Sequence, residues 1–140
     1  MEIIMTENKK STIEKYKEEL EVDTQIDELN LKEMQLKLPA IKHKWAARYI
    51  IAKQDLRKLQ DIQEVAEEKI GIKINQNAPV KLSDRAIKTK VITNETYKKI
   101  RREIINQKLL IEYLEKAEQV FKSMTFDIKN AIDLMKLEQQ

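Results

Sequence analysis

Residues 27–70 read DELNLKEMQLKLPAIKHKWAARYIIAKQDLRKLQDIQEVAEEKI, with apolar side chains at Leu31, Met34, Leu38, Ile41, Trp45, Tyr49, Ala52, Leu56, Leu59, Ile62, Ala66 and Ile70. Steps of three and four from end to end place these side chains in one stripe down a helix. At about 1.5 Å per residue the helix would be roughly 60 Å long, more than a compact core of this size covers. Part of the stripe must therefore face a second helix of the chain or the equivalent helix of another subunit. Asp27 is the expected N-cap, and Gly71 the expected residue just past the C-terminus. Pro39 falls in mid-stripe and costs about 3 kcal/mol there, which predicts a kink or a break near Leu36 to Leu38. The unbroken phase on both sides favours a kink. Trp45 lies on the stripe and reads as a core or subunit-contact residue rather than a platform for DNA bases.

Outward from this stretch, the rest of the chain also reads as helix. Residues 1–10 have no clear period and are expected to fray. Ser11 or Thr12 caps a short helix to about Glu21, with Ile13, Tyr16 and Leu20 on its apolar side. After Gly71, residues 71–82 read as a connector loop, with a short extended piece conceivable at Gly71 to Ile74. Ser83 opens a two-turn helix to about Val91, and Thr93 or Asn94 caps the next one. From Glu95 to Lys122 two apolar stripes interleave. Tyr97, Ile100, Ile104, Ile111, Leu114 and Phe121 form one; Ile105, Leu109, Tyr113, Ala117, Val120 and Met124 form the other. Two stripes call for two partners, the long helix and another subunit. Ser123 or Thr125 is expected to start a separate terminal amphipathic segment.

The expected fold class is all-α: one domain over residues 1–140, a long amphipathic helical hairpin with a short N-terminal helix and a basic connector, assembled into a ring or open barrel. Composition agrees. Charged residues make up 36% of the chain, aromatics 5%, and there is one glycine, too few for the hairpins and βα loops of a sheet. Without cysteine there is neither a disulfide nor a thiolate metal site. No apolar run approaches 18 residues and the N-terminus has no secretory pattern, so the chain is expected to be neither exported nor membrane-spanning.

The same inventory argues against an enzyme. His43 is the single histidine, with no serine or acid at triad spacing, and reads as structural or solvent-exposed. Glu64, Glu67 and Glu68 lack the Glu-x-x-His element of a di-metal bundle and read as a solvated face. One glycine cannot build a phosphate-cradling loop. No cofactor or metal is expected.

The charge is unevenly spread. Lys69, Lys73, Lys81, Arg85, Lys88, Lys90, Lys98, Lys99, Arg101 and Arg102 stand against only Asp84 and Glu95, giving +8 over residues 69–102. The remaining 17 basic and 22 acidic residues give −5. Those ten cations are the candidate DNA-binding residues. Lys98 to Arg102 lie in a helix's first turns, against its dipole, which a bound polyanion would offset. With Tyr97 the one aromatic nearby, phosphate contact should dominate over base readout. The reading from a different class is a helical scaffold or adaptor with a merely solubilising connector.

Glu18-Glu19-Leu20 with Asp23 and Ile26-Asp27, then Lys44-Trp45 in the long helix, and Phe126-x-Ile128-Lys129 with Met135 and Glu138, resemble the UvsY-like recombination mediators of tailed phages. The resemblance spans roughly residues 14–138, and no single motif in it is diagnostic. It implies a small helical protein that forms ring-like homo-oligomers, typically heptamers, and binds single-stranded DNA. It further implies help to a RecA-like recombinase in displacing the single-strand-binding protein, in the cytoplasm of a bacterial host. The family's basic, tyrosine-containing stretch at the end of the long helix is replaced here by Glu67-Glu68-Lys69-Ile70-Gly71-Ile72-Lys73. Its DNA residues therefore do not carry over one for one. Lys81, Arg85, Lys88 and Lys90 are expected to take the load.

Overall fold

A computed structural model describes residues 11–139, so the fraying expected of residues 1–10 lies outside the described residues. The elements are α1 (Thr12–Asp23), α2 (Leu31–Asn77), α3 (Asp84–Ile92) and α4 (Glu95–Glu138), with no strand among the described residues. The all-α expectation holds. The helices contribute to two compact units, one taking in the chain up to Ile50 and again from Glu112, the other spanning Ile51–Ile111.

In the first unit, α1 and parts of α2 and α4 close around Trp45, which is fully buried. Leu31, Met34 and Leu38 lead up to it on α2, and Leu114, Ala117, Phe121, Met124 and Ile128 face it from α4, all buried and all at helical spacing. The two stretches run antiparallel: the Trp45 ring lies 6.1 Å from that of Phe121, and Tyr49 Oη donates to Glu115 Oε1 at 2.8 Å. The core reading of Trp45 is correct for this unit. Ser11 caps α1 through a capping box in which its hydroxyl accepts from the Glu14 amide and Glu14 accepts from the Ser11 amide.

Asp23, at the end of α1, ties that helix to α2. Its Oδ2 accepts from Trp45 Nε1 at 2.8 Å and from Lys44 Nζ at 2.6 Å. Glu19 Oε2 accepts from Arg48 at 2.6 Å and lies 3.4 Å from Lys44. The Arg48 guanidinium sits 4.6 Å from the Tyr16 ring and 4.9 Å from the Trp45 ring, so one cation serves both a carboxylate and two aromatic faces.

The second unit has a thinner core of Ala52, Val91 and Ile104. Here too α2 and α4 run antiparallel, with Gln107 Nε2 donating to the Ala52 carbonyl at 2.9 Å. Ser83 caps α3 and Asn94 caps α4, its Oδ1 accepting from the Thr96 and Tyr97 amides.

Three boundaries depart from the sequence reading, whereas the break at Pro39, which the unbroken phase of the stripe disfavours, is absent. The long helix begins at Leu31, not Asp27, because Asp27 spends its carboxylate on a preceding turn, accepting from the Leu29 and Asn30 amides at 2.8 and 2.9 Å. The Asn30 carbonyl then takes the first helical bond, from Met34. Pro39 does not break the helix. Pro39 and Gln35, whose carbonyl loses its donor, are both exposed residues. Gly71 does not end the helix either; no glycine has positive φ, and α2 continues to Asn77, leaving 78–83 as the loop rather than 71–82. The half-buried residues Ala66, Ile70, Ile74 and Ala78 keep a four-residue step through this region, and that period prevails over the β-branched local sequence. Finally, α4 is a single helix to Glu138. The Thr125 hydroxyl donates to the Phe121 carbonyl within it instead of capping a new segment.

Candidate nucleic-acid interface

All ten expected DNA-binding residues fall in the second unit, and all are exposed. Lys69 and Lys73 come from α2, Lys81 from the loop, Arg85, Lys88 and Lys90 from α3, and Lys98, Lys99, Arg101 and Arg102 from the first two turns of α4. Among the described residues only Lys98 has a carboxylate within reach, Glu95 at 3.9 Å. Two cations of the first unit differ from these. Lys44 and Arg48 there are committed to Glu19 and Asp23, and Arg48 holds the Glu19 carboxyl below the usual carboxylate range, chiefly through its hydrogen bond. Lys44 and Arg48 are thus spent on holding α1 to α2.

The ten cations do not line one cleft. Lys69, Lys73 and Lys90 border a cleft of about 620 Å³, together with Asn77, Asn94 and Thr96. Its apolar wall comes from Ile70, Ile74 and Pro79, with Ala66 and Ala78 beside them. Lys88 lines a second cleft, of about 380 Å³, in company with Glu67, Glu68 and Asp84. On α2 the residues of the first cleft, 66, 70, 73 and 77, lie on roughly the opposite side from those of the second, 68, 72 and 75, by the 3.6-residue period. The positive cleft and the acid-bearing cleft are therefore on different faces of that helix. Lys81, Arg85, Lys98, Lys99, Arg101 and Arg102 line neither.

Asn77, Asn94 and Thr96 were not among the expected site residues. Asn94 was legible only as a cap, and the signal that Asn77 shares a cleft with it, the in-phase run from Ala66 to Ala78, was overridden by Gly71. Among the described residues no cluster of His, Asp and Glu is arranged to hold a metal ion, and no helix is long and apolar enough to cross a membrane. His43 is exposed.

Antiparallel helical stretches, with no strand among the described residues and ten exposed cations in one unit, define a class, the small all-α proteins with long helices. Within it, the chain belongs to the UvsY family: residues 19–139 match the family described as the recombination, repair and ssDNA binding protein UvsY. Its fold is similar to that of the bacteriophage T4 recombination mediator protein UvsY. The lattice type IV crystal structure has a TM-score of 0.79 at 20% identity, covering 91% of this chain and 99% of that one. The lattice type II structure has a TM-score of 0.78 at 18% identity, covering 94% and 100%. Identity at that level carries the fold alone. Among curated proteins none matches the chain.

Proposed function

We propose that this protein is a recombination mediator that binds single-stranded DNA without sequence preference and promotes loading of a RecA-like recombinase against the single-strand-binding protein. Membership of a family described by recombination, repair and ssDNA binding supports the reading. The observation that carries it is the second unit's surface, where nine of the ten candidate cations have no carboxylate partner among the described residues. Lysines and arginines left unpaired break no ion pair when they meet phosphates, and each phosphate contact on a single strand displaces condensed counterions. The action is binding and assembly rather than catalysis, in the cytoplasm of a phage-infected bacterium.

The working form is a homo-oligomer, a ring on the pattern of a heptamer. Its support is the second stripe of α4. Ala117 and Met124 of that stripe are buried, whereas Ile105, Leu109 and Val120 are 49%, 50% and 42% exposed and await another surface.

Fluorescence anisotropy with labelled oligo-dT across a salt series tests the reading. Binding at low salt that weakens by about 0.7 log units per log unit of salt for each phosphate contacted is the expected result. An absence of binding at low salt returns the protein to the class of helical scaffolds. Sedimentation equilibrium near the 16.6 kDa monomer mass at micromolar concentration would remove the ring.

A further inference from the structure

We infer that the cleft bordered by Lys69, Lys73 and Lys90 seats one unstacked base of the single strand, its neighbouring phosphates being met by those three lysines. The inference rests on the proposed binding of single-stranded DNA and adds how the strand is held. Phosphate contact alone needs only exposed cations, and the six that line neither cleft suffice for it. This cleft offers more. Its volume of about 620 Å³ is within the range of small-ligand sites, roughly 300 to 1,000 Å³, and leaves room for a purine or a pyrimidine. Ile70, Ile74 and Pro79 supply an apolar wall for a base face.

The polar rim fits a base edge of either hydrogen-bonding sense. Asn94 spends its side-chain oxygen on the Thr96 and Tyr97 amides, which leaves its Nδ2 as a donor. The Thr96 hydroxyl and the Asn77 amide have no partner among the described residues. Donors and acceptors of both kinds select no particular base, in keeping with sequence-blind binding. A base stacked in a duplex cannot enter, so the cleft itself favours single strands. The second cleft is the internal contrast: Glu67, Glu68 and Asp84 there would repel the same strand.

The test uses the full chain and two probes of equal length, oligo-dT and a strand of abasic deoxyribose phosphates, by anisotropy at several salt concentrations. The abasic strand should bind about fivefold more weakly or worse per seated base, at the low end of what base stacking contributes, with a similar salt slope. Ala66→Leu on α2 and Ala78→Leu in the loop narrow the cleft without touching a cation, and each should bring oligo-dT down to the abasic level. Circular dichroism checks the fold of each; should one unfold, the other is read, and the two-probe comparison needs neither. Equal, salt-sensitive binding of both probes overturns the seated base and leaves the phosphate reading standing. Undiminished discrimination in a folded variant places the base elsewhere and also overturns it. No binding of either probe at low salt defeats the proposed function and this inference together.

Discussion

Replacing Trp45 with Phe separates the indole's hydrogen bond from its bulk. In the wild type the ring is fully buried, 5.6 Å from Tyr16 in an edge-on arrangement, and its Nε1 donates to Asp23 Oδ2 at 2.8 Å. Phe retains most of the apolar contact with Phe121 and Tyr16 but has no donor. A hydrogen bond to a charged acceptor contributes about 1.5 to 3 kcal/mol. The lower end applies, because Lys44 still serves Asp23 at 2.6 Å and the carboxylate is not left alone. The smaller ring adds about 1 kcal/mol for some 40 Å² less buried apolar surface. Trp45→Phe should therefore cost about 2 to 3 kcal/mol, and Trp45→Ala about 3 to 5 kcal/mol. Urea unfolding followed by far-ultraviolet circular dichroism measures both. Hydrogen exchange adds location: because Tyr16, Glu19 and Asp23 all lie on α1, the amides of Thr12–Asp23 should lose protection first. A cost for Trp45→Phe below about 0.5 kcal/mol, with α1 protection unchanged, would refute the view that this network docks α1.

Three further outcomes follow from the same geometry. Gly71 is helical, and a Cβ there would meet Ile87 Cγ2 at 3.5 Å and Val91 Cγ2 at 3.9 Å, ordinary contacts, so Gly71→Ala should raise stability by about 0.5 to 1 kcal/mol in thermal melts, and a loss would show that α3 cannot yield. The carboxyl of Glu19 is held below its ordinary value of 4.5 by Arg48, so its contribution to stability is present above pH 4.5 and disappears as pH falls through the lowered value; urea midpoints between pH 6 and 3 should drop less in Glu19→Gln than in the wild type, and parallel curves would deny the pair a role. Changing Lys81, Arg85, Lys88 and Lys90 together to Ala should weaken oligo-dT binding and flatten the salt slope by about 0.7 for each side chain that had met a phosphate, with assembly intact. Unchanged binding in that variant, set beside a loss in Lys42→Ala with Lys44→Ala, would move the DNA off this surface.

Five of the residues that carried the family resemblance are structural, while Phe126 among the others is 67% exposed. Glu19, Asp23, Lys44 and Trp45 form the network between α1 and α2, and Ile128 is buried in the same unit. None of them is a candidate DNA contact. Their types and spacing were readable because a buried indole and its carboxylate need each other at fixed positions, whereas phosphate-binding lysines need only be exposed and can move along the chain.

The sequence by itself determined the all-α class, the phase of the long stripe, the start of three helices to within a residue or so of Ser11, Ser83 and Asn94, and the concentration of positive charge between residues 69 and 102. Helical period, capping chemistry and net charge are local properties, set by neighbours within a few residues. Tertiary structure alone decided the rest. It carried α2 past Gly71, where Ile87 and Val91 lie close enough for an added Cβ to touch. It also put Lys69, Lys73 and Lys90 on a cleft with an apolar wall and Lys88 on a cleft with acids, because residues adjacent in sequence on a helix point to different sides while Lys73 and Lys90, far apart in the chain, line the same cavity. Charge can be counted along a sequence, but the space between charges exists only once the helices have packed.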